Sequence, residues 1–411
     1  MDQRGLLEGE RLLCRVLDIT PEEYIEILLL EDRYRSHKLG KHTISVPTPI
    51  LKVVQERLHR IIGLRLMDNF VFQKFDPNTH HYYRFHGFLR NKSILTAVHP
   101  HADSEYFFKL DLKNAFGSTK RNFLITICFP ALMRILWRES MFQKSKLFSK
   151  SLCGRFNASI SNHFLHRQSI VDVEAEFLRG RFHRYFLQYK LNRHLTYLLY
   201  EFTVAVVDLI TDKDSLPKGA PTSPDFFVYA TYADGLIKKI HLALENNGIK
   251  HPIITIYADD IIISSNQPIP KKVREKVVTA IEAKPNTFSV NRGKIHYYRL
   301  NKCSPRMLGL SLRVKIDWPP IQTVRMLEGR QITLRRKDQD RFRAILHSAY
   351  QNPGDEKLSR SAMGITAHIC RIFPPKLLPS RLRRPMANFL KMTGAKPYYL
   401  KAIPLSDTKP Q

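Results

Sequence analysis

The chain has 411 residues, of which 43% are apolar and 10% aromatic, and it carries 66 Lys and Arg against 37 Asp and Glu. A chain of this length and composition can bury a large core and form two or three subdomains, which excludes a basic disordered tail. The formal charge of +29 favours a polyanionic partner such as a nucleic acid.

Five cysteines lie far apart in the chain and form no CxxC pair. This spacing predicts reduced, buried thiols in a cytoplasmic protein. The longest apolar stretches are too short to cross a bilayer or carry a charge, and the first residues lack the basic head and apolar core of a secretion signal. We therefore expect no membrane partner.

Two helix starts are predicted near the N-terminus. Thr20-Pro21-Glu22-Glu23 has the spacing of a capping box with Pro at the first helical position, so a helix should begin at about residue 21. A second helix should follow Pro49, because Leu51, Val54 and Leu58 recur at helical spacing on one face.

A basic segment follows, GFLRNKSILTAVHPH at residues 87–101, in which Arg90 and Lys92 stand among apolar residues. Taken by itself, such a segment indicates either a solvated loop or a contact with phosphate. Both interpretations stay open at this point.

The segment FFKLDLKNAF at residues 107–116 reads as a strand that ends in an acid. Its apolar residues lead to Asp111, and the pattern breaks at Lys113-Asn114. Farther on, at about residues 138–200, cations are mixed with Phe. This composition suits phosphate contacts with base stacking, and equally a helix pair with a charged outer face.

The segment LPKGAPTSP at residues 216–224 is a loop punctuated by Pro and Gly. It ends in a helix start, with Thr222 or Ser223 as the N-cap and Pro224 in the first turn.

Tyr257-Ala258-Asp259-Asp260 lies between the apolar runs IITI and IIIS, which predicts a β-hairpin. In a continuous strand two adjacent acids would point to opposite faces, but at a tight turn both carboxylates can approach one cation. Asp is also a common turn residue, so the pair alone decides little.

The remaining chain is predicted to be mainly helical. Residues 271–283 read as a helix, and FSVNRGK at residues 288–294 reads as a strand and turn that end at Lys294. Basic amphipathic helices are predicted at residues 335–350 and 359–390.

The order of these segments, a strand ending in Asp111, a Pro/Gly loop that enters a helix, and a hairpin with two acids, resembles that of reverse transcriptases. The spellings YADD and GAPTSP resemble the bacterial branch, which includes retron-like, defence-associated and group II intron-related enzymes. FSVNRGK resembles the family's F-x-x-N-x-x-K element. The resemblance implies an α+β right-hand polymerase with fingers, a palm with an antiparallel sheet, and a helical thumb.

Domain boundaries also follow from the resemblance. It implies an N-terminal helical segment at 1–44, fingers at 45–105 and a palm at 106–302. The palm would contain a basic insertion at about 138–200, and residues 303–411 would form the thumb and a C-terminal tail.

The same resemblance implies a site for two Mg²⁺ ions, with Mn²⁺ as the alternative. Asp111 and Asp259 would bridge both metals, the Leu112 carbonyl would be a further ligand, and Asp260 would have a supporting part. Such oxygen donors suit Mg²⁺, and in-line displacement at phosphorus needs the positive charge of two cations.

Further residues acquire expected roles in nucleotide binding. Phe116 would lie beneath the sugar and exclude a 2′ hydroxyl, although its spacing also fits a core Phe. Gly219 and Ala220 are small enough to let the backbone approach the nucleotide.

Four cations would meet phosphate. Arg90 and Lys92 would grip the incoming triphosphate. Lys218 stands where the family usually has Gln and would pair with the triphosphate. Lys294 would protonate the pyrophosphate leaving group or hold phosphate.

The sequence therefore predicts an RNA-directed DNA polymerase that copies a dedicated structured non-coding RNA in a bacterial anti-phage defence system. Its partners would be the RNA template, the DNA product and deoxynucleoside triphosphates, with an accessory protein or a second copy as further options. Two alternatives remain open: template-independent or protein-primed DNA synthesis by the same fold, and a non-catalytic RNA-binding scaffold.

Overall fold

A computed structural model describes residues 6–39, 42–70, 83–90, 92–142, 193–283, 288–300, 305–308, 310–314, 330–373 and 378–393. Most of the basic insertion predicted at about 138–200 lies outside these residues, and so does the C-terminal tail after residue 393.

The described residues form a mixed fold of helices and strands, as the α+β prediction required. The helices are, in chain order, α1 (Glu8–Leu17), α2 (Pro21–Leu29), α3 (Pro49–Leu58), α4 (Leu64–Phe70), α5 (Ile94–Val98), α6 (Ala115–Ser118), α7 (Arg121–Phe142), α8 (Arg193–Ile210), α9 (Ser223–Ala233), α10 (Leu236–Glu245), α11 (Lys271–Glu282), α12 (Arg336–Gln351), α13 (Glu356–Ile372) and α14 (Ser380–Thr393). The strands are β1 (Tyr34–Leu39), β2 (His42–Pro47), β3 (Tyr83–Phe85), β4 (Tyr106–Asp111), β5 (Ile253–Tyr257), β6 (Asp260–Ser265), β7 (His296–Arg299), β8 (Arg306–Met307), β9 (Leu310–Val314) and β10 (Arg330–Leu334).

The chain forms two compact units, and the first combines residues 1–74, 113–236 and 281–289. It is mainly helical, with a hairpin in which β1 and β2 pair antiparallel. The segment before residue 44 therefore contains a strand as well as two helices. Buried Gln55 on α3 donates through Nε2 to the Tyr34 hydroxyl and to the Leu209 carbonyl, each at 2.7 Å, and so ties β1 to the end of α8.

The capping box predicted at Thr20 is confirmed. Helix α2 begins at Pro21, the Glu23 amide donates to Thr20 Oγ1 at 3.1 Å, and the Thr20 amide donates to the Glu23 carboxylate at 2.8 Å. The local sequence therefore specifies where this helix begins.

The second unit combines residues 75–112, 237–280 and 290–411. Its main sheet has the strand order β3-β5-β6-β4-β7. Neighbouring strands in the series β5, β6, β4 and β7 pair antiparallel, whereas β3 pairs parallel with β5. The expectation of an antiparallel sheet therefore holds except at this edge, where the two paired strands come from distant parts of the chain and are not joined by a hairpin.

One face of this sheet turns to the C-terminal helices of the same unit. Phe107 and Ile262 on that face belong to a hydrophobic cluster that includes Leu346, Phe373 and Phe389. The basic amphipathic helices predicted at the C-terminus are present as α12, α13 and α14. A smaller antiparallel sheet of β8, β9 and β10 precedes them.

Candidate active site

The hairpin of β5 and β6 has a loop of only two residues. Tyr257 pairs with Asp260, which leaves Ala258 and Asp259 at the tip. Ala258 has a φ of +54°, and a positive φ at the first loop position is what two-residue hairpin loops require. The buried Ile254, Ile256 and Ile261 hold both strands in the sheet, so the position of the tip is fixed by the core.

Asp111 reaches the same end of the sheet from β4. It lies directly opposite Asp260 in the antiparallel ladder of β4 and β6. Directly opposed residues share a face of a sheet, so these two carboxylates lie on one side. The amide of Leu112 donates to the carbonyl of Asp259 at 2.9 Å, which ties the end of β4 to the hairpin tip. The sequence-predicted acids Asp111, Asp259 and Asp260 are thus brought together.

The environment of Asp259 disfavours its charged form. Burial raises the pKa of Asp259 above its ordinary value, and the charges of Asp111 and Asp260 raise it further. Two lysines balance part of this charge. Lys294 Nζ lies 3.0 and 3.1 Å from the two oxygens of Asp111, and Lys109 Nζ lies 2.7 Å from Asp260 Oδ1.

The donors at this end of the sheet fit Mg²⁺ by chemistry. The three carboxylates supply hard oxygens, and such donors suit Mg²⁺. Both oxygens of Asp111 already face one positive charge, the Lys294 ammonium. Among the residues that the structure describes, no group of three or more His, Cys, Asp or Glu side chains is arranged around one point. The Asp260 carboxylate contacts Lys109 Nζ.

The FSVNRGK segment meets the end of β4. The Asn291 amide donates to the Asp111 carbonyl at 2.8 Å, and its side chain donates to Asp111 Oδ2 at 3.3 Å. The hydrogen bond to Asp111 raises the pKa of Lys294, so its ammonium stays charged. The sequence reasoning singled out Lys294 but missed Asn291, although the F-x-x-N-x-x-K pattern includes it.

Gly87 supports the hairpin tip from outside. The His86 amide donates to the Ile256 carbonyl at 2.7 Å and continues the pairing of β3 with β5. The next residue, Gly87, lies so close that a Cβ there would be 2.1 Å from the Ala258 amide nitrogen. Sequence reasoning missed this residue, because only the tertiary fold brings the two backbones together.

Arg90 and Lys92, the two predicted triphosphate contacts, follow Gly87 in the same loop. Arg90 is exposed and Lys92 is half-buried. The Lys92 amide donates to the Leu89 carbonyl at 3.2 Å, so the loop has a local turn. Their role in phosphate binding stays a prediction.

His101 is fully buried and lies against the face of the sheet that carries Asp111 and Asp260. Its Nδ1 lies 2.6 Å from Ser264 Oγ and its Nε2 lies 2.7 Å from Thr255 Oγ1. Thr255 Oγ1 donates to the Ala97 carbonyl, so it accepts from His101 Nε2, which therefore carries the proton. Burial lowers the pKa of His101 to about 3, and the ring is a neutral link between β5 and β6.

Phe116, the predicted sugar contact, belongs to the first unit. It is half-buried in α6, and its ring centroid lies 4.9 Å from that of Phe227. Phe227 in turn meets Phe288 edge-on at 5.9 Å, and both of these rings are buried. Phe116 is thus a half-buried residue at the edge of an aromatic cluster.

The predicted loop of Lys218, Gly219 and Ala220 is also in the first unit. Lys218 accepts from the Ser45 amide at 2.7 Å through its carbonyl, and its side chain is exposed. Gly219 has a φ of +122°, and a Cβ there would lie 3.0 Å from the Ser45 carbonyl oxygen. Any other residue would be strained at this position. Ala220 is buried, so of these three residues Lys218 and Gly219 are open to solvent.

Helix α9 follows this loop and begins at Ser223 with Thr222 as its N-cap. The Thr222 side chain forms no capping hydrogen bond, and Ser223 Oγ donates instead to the Pro217 carbonyl at 2.7 Å. Asp225 in the first turn is buried and meets His59 Nδ1 at 2.5 Å. The hydrogen bond to Asp225 raises the pKa of His59. The same contact joins the first turn of α9 to the π-helical turn His59–Gly63.

A comparison of the sequence with protein-family models finds no match, and neither does a comparison with curated proteins. Among solved structures, the chain is similar to telomerase from Candida albicans in complex with a TWJ fragment of telomeric RNA. The identity is 10% and the TM-score is 0.39, and the match covers 90% of this chain but only 62% of that telomerase chain. This likeness is too low to establish a common fold.

The remaining sequence predictions concern thiols and membranes. Cys14 and Cys128 are buried and free as predicted, whereas Cys370 is free but only half-buried. Burial raises the pKa of Cys14 to about 11 and raises the pKa of Cys128 as well. Neither thiol is ionised at neutral pH. Cys153 and Cys303 lie outside the described residues. No helix within the described ranges has the length and apolar character needed to cross a membrane.

Proposed function

We propose that this chain is an RNA-directed DNA polymerase, a reverse transcriptase that adds deoxynucleotides to a primer. The observation that carries the proposal is the meeting of Asp111, Asp259 and Asp260 at one end of the sheet. Asp111 and Asp260 are opposed in the ladder, and the Leu112 amide is bonded to the Asp259 carbonyl. Acids from two separate strand ends in one place are what phosphoryl transfer at a two-metal site needs.

The metals in this proposal are two Mg²⁺ ions, or Mn²⁺, held by Asp111 and Asp259 with the Leu112 carbonyl. When bound, they would stabilise the charge on the attacking and leaving oxygens. Asp260 would have a supporting part, because its carboxylate contacts Lys109. Lys294 carries a proton next to Asp111 and is mostly exposed, so it is suited to meet the pyrophosphate. Arg90, which is exposed, and Lys92 supply further positive charge for the triphosphate.

The architecture in this proposal is that of a right hand. The sheet that carries the acids would be the palm, the segment at 45–105 the fingers, and the helices α12, α13 and α14 the thumb. Helix α12 presents four exposed cations that suit a phosphate backbone. They are Arg336, Lys337, Arg341 and Arg343.

The biological setting is a finer part of the same proposal. The template would be a dedicated structured non-coding RNA, and the reaction would serve a bacterial anti-phage defence system in the cytoplasm. The net charge of +29 supports a nucleic-acid partner, and the resemblance of YADD and GAPTSP to the bacterial branch supports the setting.

The test is primer extension with purified protein, Mg²⁺ and deoxynucleotides on an RNA template, with Asp259→Asn as the inactive control. The products are sequenced with and without template. We expect DNA complementary to the RNA. Synthesis of equal amounts of DNA without template would instead identify an untemplated polymerase. If the parent protein makes no more product than the Asp259→Asn control, the chain is a binding scaffold.

The sugar preference tests the role of Phe116. Its half-buried ring is held against Phe227 at 4.9 Å, so its position is defined by the core. Phe116→Ala should raise the efficiency of ribonucleotide incorporation, relative to that of deoxynucleotides, by roughly tenfold to a hundredfold. The reason is that removal of a steric clash of this size is worth about 1–3 kcal/mol. Competition between deoxynucleotides and ribonucleotides in primer extension measures the ratio. Phe116→Tyr keeps the ring and should keep the preference, and an unchanged ratio in Phe116→Ala would refute the role.

Salt dependence tests the class of partner. If the chain neutralises six or more phosphates, its affinity for an RNA–DNA hybrid should fall by roughly a thousandfold between about 50 and about 200 mM salt. Fluorescence anisotropy with a labelled hybrid measures this slope. A slope close to zero would point to a protein or lipid partner.

A further inference from the structure

Lys109 is a charged residue on the face of the sheet that carries the acids. It lies two residues before Asp111 on β4, and alternate residues of a strand share a face. Its ladder partners are Ile262 on β6 and His296 on β7, so its side chain rises from the row next to that of Asp111 and Asp260. The strand register therefore fixes a cation beside the acids.

The two lysines of the cluster differ in exposure. The Lys294 side chain is 59% exposed, whereas the side chains of Lys109 and Asp260 are only 20% and 24% exposed. Water and salt screen an enclosed pair less than an exposed one. Lys109, 2.7 Å from Asp260, is therefore the more enclosed of the two cations, and Lys294 is the one more open to displacement, although the Asp111 side chain is only 8% exposed.

The three acids consequently have different partners. Asp260 is held by Lys109, Asp111 is held by the exposed Lys294, and Asp259 has no ion pair with any described residue. Asp259 and, once Lys294 is displaced, Asp111 would be the carboxylates open to a divalent cation. Asp260 would join them only if its enclosed pair with Lys109 were broken.

We propose that Lys109 is a built-in counter-ion that holds Asp260 away from the metals and leaves Asp111 and Asp259 as the principal ligands. The inference rests on the proposed function, because it assigns the division of labour within the same metal site. Lys109 touches no substrate in this account. It is a positioning residue that sets how tightly the cluster binds cations and how stable it is without them.

The substitution that tests this is Lys109→Met, which keeps the length of the side chain and removes the charge. Without Lys109, the acids repel one another and Asp260 becomes free to bind metal. We expect Mn²⁺ to bind about tenfold tighter, since one unit charge at close range in a partly buried site is worth at least that factor. We also expect a lower melting temperature in chelator and a larger rise in melting temperature on addition of Mn²⁺.

The measurement uses the full chain without nucleic acid. The electron paramagnetic resonance signal of free Mn²⁺ gives the affinity for Mn²⁺, and competition with Mg²⁺ gives the affinity for Mg²⁺. Lys109→Arg should leave both affinities within about twofold of those of the parent, because the positive charge beside Asp260 is kept.

Lys250→Met is the matched control for a general loss of charge. Lys250 is exposed and precedes β5, whose other end leads to the hairpin tip, so it lies at the far end of the strand from Asp259. It should change neither the metal affinity nor the melting temperature in chelator. If it matches Lys109→Met, the effect is one of net charge and the proposal is wrong.

A double-mutant cycle with Asp260→Asn isolates the pair itself. If Lys109 acts by holding Asp260, the gain in affinity from Lys109→Met should shrink in the Asp260→Asn background. Full additivity would overturn the claim that Lys109 withholds Asp260.

Primer extension in parallel separates this inference from the proposed function. If the parent makes DNA while Lys109→Met leaves the metal affinity and the melting temperature unchanged, the counter-ion role is wrong and the polymerase stands. If the Lys109 effects appear but no template yields DNA, the polymerase assignment fails and the cluster is a cation site of another kind.

Discussion

Replacement of Asp111 or Asp259 by asparagine should lower the rate of nucleotide addition by about a thousandfold or more. Each variant removes one negative charge from the place where, in the proposed reaction, cations are held. A unit charge at about 4 Å in a partly buried site is worth about 4 kcal/mol, which corresponds to roughly a thousandfold in rate. Single-nucleotide extension of a primer at saturating Mg²⁺ measures the loss.

The loss should not come from unfolding. Ionisation of Asp259 is less favourable in the folded chain than in the unfolded chain, since burial and the neighbouring acids raise its pKa. In chelator at neutral pH, above the ordinary pKa of the group, Asp259→Asn should therefore raise the melting temperature or leave it unchanged. Asp260→Asn should cost less activity than the other two, because its carboxylate is engaged with Lys109. Equal losses at all three positions would contradict this order.

Gly87→Ala should reduce activity by about a hundredfold. A Cβ at residue 87 would lie 2.1 Å from the Ala258 nitrogen and 3.0 Å from the Tyr257 carbonyl carbon, and both of these are backbone atoms that cannot rotate away. Relief therefore has to separate the two backbones by about 1 Å, and a displacement of that size at the tip that carries Asp259 can cost about a hundredfold. Steady-state extension kinetics should show the loss mainly in kcat.

Gly364→Ala is the matched control for this prediction. A Cβ at Gly364 meets nothing within 4 Å, and the residue lies inside α13, where Ala is favoured over Gly. It should keep full activity and gain a little stability. If Gly87→Ala is as active as this control, the close approach of the two backbones has no functional weight.

The sequence predicted the elements that local patterns specify. The apolar runs on both sides of Ala258 and Asp259 led to the hairpin, and the capping box at Thr20 led to α2, because each signal lies within a few residues of the structure it dictates. The expected N-cap at Thr222 is in place, yet its hydroxyl does not cap, since Ser223 Oγ is drawn to the Pro217 carbonyl.

The residues that the sequence did not reveal depend on strand register. Lys109 reads as one more charge in a half-exposed strand until the pairing of β4 with β6 brings it to Asp260. Gly87 reads as a loop glycine until β3 pairs with β5. Neither pairing is encoded by spacing along the chain, because the partners are far apart in sequence.

The segments of the two units alternate along the chain, and this restricts how the protein can fold during its synthesis. The first unit needs residues 281–289, which are synthesised after most of the sheet of the second unit. Phe288 from that stretch is buried against Phe227. On the ribosome, a nascent chain that stops at residue 236 would therefore leave Phe227 uncovered, and neither unit can mature before the other is largely translated. Expression of either half as a separate fragment should give an aggregation-prone product, so biochemical dissection of this polypeptide has to proceed by point substitution.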